Sequence, residues 1–593
     1  MNRMCRSAKI NVKVLVILLA VVVVLVGGAF AARHIRRRIL SARDLSAGRA
    51  AFDKQDWSAA CKYIREYLGR NPNDVEMLKM YAEANLSLCW EETEKRDTST
   101  SIKNIMTAIG AYRRVMQLDP SDEKVYEKLA KLYRYTGNYS ELEYIASKRL
   151  ENNPNDLKAP VWQAEALFVL KKREKAYGIL LKYINRLDSM KEKHPEYIEA
   201  CGILSEIAAK SGTVNAQANA LAWLDRAVKY DPKSIKALLY RSRFKRMQLV
   251  APGMTREERE RKLAAAVADL RRADEIGTFN PHLRLALAAE WMYHGRLDKA
   301  ADELEHLKGL DKATLSDYYL DRADWILQKF LISAELSLRK KDTDKGVKIV
   351  NEALAKLGKG RQRPRVLPLA IRLYVVAGNT ADARRCLDEY STALRTGKIT
   401  PRFAHEADFL RAFIAKREKK YYTVINILEP IVAKGTSRPE LLALLAEAYS
   451  QTNQPRRAKR VLERYLQLRP HQVSMIFQLA REYFKLRDWK RAYKMASLAE
   501  SLSPKDIEIT FLRMKAGVYL AIEQQNENNK AMLDKLSKQL ASLQKLYPDR
   551  VDIRVLRSII SDSQGRHDEA QKELSLAIKE CNDTLPAEMQ LVQ

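Results

Sequence analysis

The stretch PELLALLAEAYSQTNQPRRAKRVLERYLQLRP, residues 439–470, carries the pattern that sets the fold. Small Ala446 is followed three residues later by Tyr449, then by Asn453, small Ala458, Tyr465 and Pro470. The next stretch keeps the order: Ala480, Tyr483, a loop at Arg487 and Asp488, Ala492, Ala499 and Pro504. Pro470 to Pro504 is 34 residues. Pro120 to Pro154 is 34 again, and that interval holds Ala130, Tyr133, Gly137 and Leu142. A fixed period of this length means one supersecondary unit copied along the chain. The copies have a packing logic. Two helices of a hairpin approach closely only where small side chains face each other, so alanines mark the contact and tyrosines fill the groove beside it. A proline cannot continue the second helix and closes the unit.

Drifted copies extend the array in both directions. Gly48 and Ala60 mark one, and Ala82, Ala108 and Tyr112 another that is split by an insertion near Trp90 to Ser101. Ala164 with Ala176, and Ala220 with Ala227, mark two more. Residues 234–277 read as a hairpin with a long loop at Pro252 and Gly253. Ala288, Trp291, Gly295 and Ala300 form a good copy; Ala334 with Ala353, and Tyr374 with Gly378 and Ala383, follow. A weak copy covers residues 409–431, and Gly565, Ala570 and Ala577 close the array.

These residues resemble the tetratricopeptide-repeat (TPR) family, whose signature is small, aromatic, Gly, small, small, Pro at these offsets. The resemblance implies an all-α protein, a right-handed α-solenoid of about 13 helical hairpins over residues 46–580. It also implies that the first helix of each hairpin lines a concave face that holds partners. No alternating Val/Ile/Thr runs suggest strands in this part of the chain.

Ahead of the array, Val14 to Ala32 is 19 residues without a charge. At ~1.5 Å per residue such a helix nearly matches the ~30 Å hydrocarbon core. Arg3, Arg6, Lys9 and Lys13 precede it, and Arg33, Arg36, Arg37 and Arg38 follow. Two readings stand: an uncleaved anchor, or a signal peptide cut after Ala31. The arginines directly after the apolar run favour the anchor. The expected layout is a basic segment at 1–13, a transmembrane helix at 14–32, a basic juxtamembrane segment at 33–45, the array, and a tail at 581–593. Basic flanks of equal size leave the orientation nearly tied. The export-like layout favours repeats on the extracytoplasmic, periplasmic side.

The chain has 105 Lys and Arg against 74 Asp and Glu, a net charge of +31. Much of this keeps exposed helix faces soluble. Three stripes at helical spacing stand out on expected first helices: Lys124, Lys131 and Arg134; Lys236, Arg243 and Arg246; and Phe477, Arg481 and Phe484. If they line the concave face, they suit acidic proteins or peptides, an anionic polymer, or lipid headgroups. Nucleic acid is disfavoured by the anchor. The Lys and Asn pair with which some TPR arrays clamp a chaperone carboxylate occurs only as Lys148 and Asn152, at the end of a second helix. The paired CxxC motifs of a membrane-anchored relative in lipopolysaccharide assembly are absent, and Cys581 stands alone.

The six cysteines are scattered, and no HExxH, Gly-rich phosphate loop or Gly-x-Ser-x-Gly elbow occurs. No catalytic residue, metal or cofactor is expected. The resemblance points to a membrane-anchored scaffold for protein–protein interactions, in envelope or polysaccharide-export assembly. The alternatives are an organelle-surface receptor for precursors or chaperones, and a regulatory subunit tethering an enzyme.

Overall fold

The computed structural model describes residues 12–90, 98–190, 192–249, 254, 256–318, 322–358, 360, 362–401, 405–435, 438–524, 527–548 and 550–581. Arg3, Arg6, Lys9 and Cys5, the Pro252 and Gly253 loop, and all of the tail but Cys581 lie outside the described residues. The protein is an α-solenoid, and no strand occurs among the described residues. Consecutive helices pair as antiparallel hairpins. The chain divides into two compact units: Met1–Arg243 with Ala268–Lys340 and Lys348–Val366, and Phe244–Val267 with Lys341–Val347 and Leu367–Gln593.

The repeat logic holds at atomic detail. Ala446, Ala458, Ala480, Ala492 and Ala499 are fully buried. So are Ala60, Ala82, Ala108, Ala130, Ala288 and Ala300 of earlier copies. Second helices end two residues before the punctuating prolines: Thr98–Leu118 before Pro120, Tyr139–Asn152 before Pro154, Pro455–Leu468 before Pro470 and Trp489–Leu502 before Pro504. The turn inside the hairpin needs a left-handed residue. Gly137 supplies it at φ 74°. Where the turn lacks glycine, Asn453 and Arg487 adopt the same region at φ 53° and 59°, at some steric cost. Asp122, Asn138 and Asp488 then cap the following helices by accepting from backbone N–H groups.

Among the described residues the helices form fourteen hairpins, one more than the sequence copies marked. The added one pairs Ile507–Gln524 with Glu527–Leu546. Its small position is Gly517, where an added Cβ would meet Tyr493 at 3.1 Å and Leu536 at 3.2 Å. Its helices exceed the usual length, so the 34-residue beat is lost there. A second departure is a short helix, Lys312–Tyr318, between the hairpin ending at Glu305 and the next helix, Arg322–Lys340.

The N-terminal helix is a single element, Val12–Asp53. Its apolar part is exposed, while its last turns form the first helix of the first hairpin. Asp44 is buried and accepts from Arg70 Nη1 at 2.6 Å. Asn71 donates to Ser41 Oγ at 2.5 Å. Gly48 lies where a Cβ would meet Ile64 Cγ1 at 2.9 Å. Packing of the array therefore begins near Ser41, inside the segment read from sequence as juxtamembrane, and the backbone is helical throughout it.

Ala480→Trp tests the repeat register. Overpacking the contact should cost ~1–3 kcal/mol or more, read as a lowered midpoint in thermal unfolding.

Candidate partner-binding face

Each basic stripe sits on the first helix of a hairpin, and the structure gives its members different fates. On Glu123–Thr136, Lys124 is exposed. Arg134 pairs with Glu165 at 2.7 Å on the next hairpin and lies over the Trp162 ring. On Ile235–Gln248, Lys236 pairs with Glu199 at 2.6 Å, Arg243 is exposed, and Arg246 is half-buried with its own interactions. On Val473–Lys485, Arg481 is exposed. Phe477 and Phe484 are half-buried against Ala480, Ala496 and Leu512, and Phe484 meets Trp489 edge-on at 4.8 Å. These rings therefore serve packing between hairpins on at least one face.

The charged contacts follow a rule. Lys158 reaches Glu127 at 2.6 Å, Arg134 reaches Glu165, Lys236 reaches Glu199, and Lys416 reaches Glu447 at 2.5 Å. Each links one hairpin to the next. Being partly exposed, such pairs contribute at most ~1 kcal/mol apiece; their effect is to fix register and to neutralise part of the stripe.

Within the N-terminal unit, two stripes converge. Lys131 donates its Nζ hydrogen to the Asp317 carbonyl at 2.9 Å, across 186 residues of sequence. His282, on Pro281–Tyr293, places Nε2 2.9 Å from the Tyr318 carbonyl and packs edge-on against the Tyr318 ring at 5.9 Å. The carbonyl can only accept, so Nε2 carries the hydrogen. Lys131 and Lys236 both act on His282. Burial lowers the His282 pKa below the ordinary imidazole value; the Tyr318 bond opposes this, and the two lysines add to it. Burial, with Lys128 nearby, also lowers the Lys131 pKa. Burial disfavours charge on Lys236, but Tyr240 and Glu199 outweigh it and raise its pKa.

His282, Glu199 and Tyr240 escaped the sequence reading. One signal for His282 was present: it is the second residue of its helix, as Lys124 and Lys236 are of theirs. Lys148 pairs with Glu151, and Asn152 donates to the Pro120 carbonyl and the Tyr126 hydroxyl, so both serve local structure. Burial pushes the Cys201 thiol up to about 12, the range of an unreactive core residue.

The tetratricopeptide-repeat profile matches residues 439–472, the stretch with the best repeat geometry. The chain is a tetratricopeptide-repeat protein. As a TPR array it is a scaffold for protein–protein interactions. Solved TPR-like structures resemble it at low identity. The human IFIT1 dimer with m7Gppp-AAAA is 13% identical, covers 86% of this chain and 94% of its own, and gives a TM-score of 0.34. The APC/C hetero-tetramer Cut9–Hcn1 is 13% identical, covers 88% and 95%, and gives 0.37. MamA of AMB-1 is 18% identical over 30% of this chain and 99% of its own, with 0.25. No curated protein matches the sequence.

The sign of the His282 effect is checkable. Its folded pKa is lowered, so below ~6.5 the unfolded chain takes up a proton that the folded site resists. Stability present above that range is lost as pH falls. In thermal melts between about pH 7 and pH 5, His282→Gln should lose less stability than the wild type.

Proposed function

We propose that this protein is a membrane-tethered scaffold whose TPR array holds acidic protein segments. The observation that carries the tether is the helix Val12–Asp53, whose exposed apolar part runs without a break into the packed first hairpin. Nothing in the described array covers the apolar part, and Val14 to Ala32 would span ~28 Å at 1.5 Å per residue. The array then starts within a few turns of the bilayer. Arg33, Arg36, Arg37 and Arg38 fall at headgroup depth, where each basic side chain contributes ~1 kcal/mol against an anionic surface. The export-like layout of the N-terminus supports an extracytoplasmic array, and with it a role in envelope or polysaccharide-export assembly.

The partner chemistry rests on Lys124, Arg243 and Arg481. They are exposed and carry no side-chain partner among the described residues. Lys131, Arg134, Lys236, Arg246, Phe477 and Phe484 complete the proposed face in supporting roles.

Carbonate or high-salt washing should leave the full-length protein in the membrane pellet, and N-terminal sequencing should find no cut after Ala31. A soluble species starting at Ala32 would make the segment a signal peptide. For the partner face, a poly-glutamate peptide serves as probe. The triple reversal Lys124→Glu, Arg243→Glu and Arg481→Glu should weaken its binding roughly ten-fold, as ~0.5 kcal/mol per exposed charge implies. Unfolding should be nearly unchanged, because the three sites are on the surface. Added salt should mimic the reversal in the wild type.

A further inference from the structure

The short helix Lys312–Tyr318 interrupts the repeat order, and its surroundings suggest why. The preceding hairpin has a second helix of only 9 residues, Leu297–Glu305. Gly309 then turns the chain at φ 80°, a conformation that costs glycine nothing. The segment of residues 307–318 does not join the stack as a hairpin. Its Leu307 and Leu315 are buried with Leu285, Trp325 and Trp90, the last lying more than two hundred residues earlier. Leu310 and Tyr318 pack at the edge of the same cluster. At its C-terminal end, where a helix leaves carbonyls without intrahelical donors, the Asp317 carbonyl accepts from Lys131 and the Tyr318 carbonyl from His282. Lys131 belongs to a stripe read from sequence as partner-binding.

We propose that residues 307–318 are an intramolecular occupant of the inner face of the N-terminal unit, holding the place of a partner's short helix. The displacing partner has the chemistry of the occupant: a short helix carrying Leu and an aromatic three residues apart, with its C-terminal carbonyls or carboxylate turned to Lys131 and His282. The inference rests on the reading of the array as a partner-binding scaffold. Three features distinguish a strap from core. The segment has one short helix and no second helix to pair with. Asp311 and Asp317 are exposed, as are Lys308 and Gly309. Two hydrogen bonds from distant helices hold its end, and these can be exchanged for bonds to any other helix end of the same geometry. Release would also uncover Lys131, whose charge burial now disfavours, so the wild-type inner face is less basic than its sequence suggests.

The test uses the full-length chain in detergent and a fluorescent peptide of residues 307–318, LKGLDKATLSDY. In the wild type the tethered copy competes, and apparent affinity falls by the fraction of open molecules. Leu315→Asp removes the buried anchor from the tethered copy only. This variant should bind the peptide at least ~10-fold more tightly than the wild type, and adding Lys131→Ala or Trp90→Ala should remove the gain. Equal binding by wild type and Leu315→Asp, or no binding by a variant with an intact melt, would make the segment fixed core. Should Leu315→Asp unfold the unit, hydrogen exchange of the wild type decides. The amides of Lys312–Tyr318 should exchange by a local opening while Pro281–Tyr293 and Arg322–Lys340 stay protected. Exchange of all three together would overturn the proposal. None of these readouts involves Lys124, Arg243 or Arg481, so failure of the acidic-partner reading would be seen separately.

Discussion

The structure depends on one steric constraint, the close approach of two helices at an alanine. Helix axes come within about 8 Å only where the contact residues are small. Ala480, Ala492 and Ala499 are fully buried at such contacts, and the surrounding leucines and tyrosines occupy what space remains. Because each hairpin covers its apolar stripe with its neighbours in the stack, the core grows along the chain without closing into a globule. Large helix faces stay in solvent, which is why a chain that is 30% charged can still bury a continuous core.

That constraint also explains which parts of the fold were legible in sequence. A small residue at a fixed offset has no substitute, so Ala130, Ala288 and Ala446 announced their hairpins. The turn was legible even without glycine, because Asn453 and Arg487 sit at the same offset as Gly137 and take the same left-handed conformation. The hairpin of Ile507–Gln524 and Glu527–Leu546 was hidden because its longer helices broke the period and Gly517 replaced the alanine. The short helix Lys312–Tyr318 was hidden for another reason. A 7-residue helix held by partners far away in sequence has no periodicity of its own.

The candidate site shows the same divide between local and distant information. Helical spacing placed Lys124, Lys131 and Arg134 on one face, since that is a property of a single helix. Whether each cation is available is decided elsewhere. Arg134 is matched by Glu165 and Lys236 by Glu199, each one hairpin away, while Lys131 meets a carbonyl 186 residues distant. The stacking of hairpins brings these groups together, and only the first two pairings repeat with a spacing that sequence inspection can detect. A net charge of +31 therefore overstates the basic character of the inner face. Its register pairs consume several of the cations that define the stripes.

The helix Val12–Asp53 joins two environments through one backbone ladder. Its exposed apolar half and its packed half have no proline between them, and an α-helix without a break is stiff over this length. The Asp44–Arg70 ion pair and the Gly48–Ile64 contact fix the packed half to the second helix of the first hairpin. A tilt imposed on the apolar half is thus passed to the first hairpin instead of being absorbed by a linker. A flexible tether would let the first hairpin sample many orientations; this one holds it at a set angle to the apolar segment.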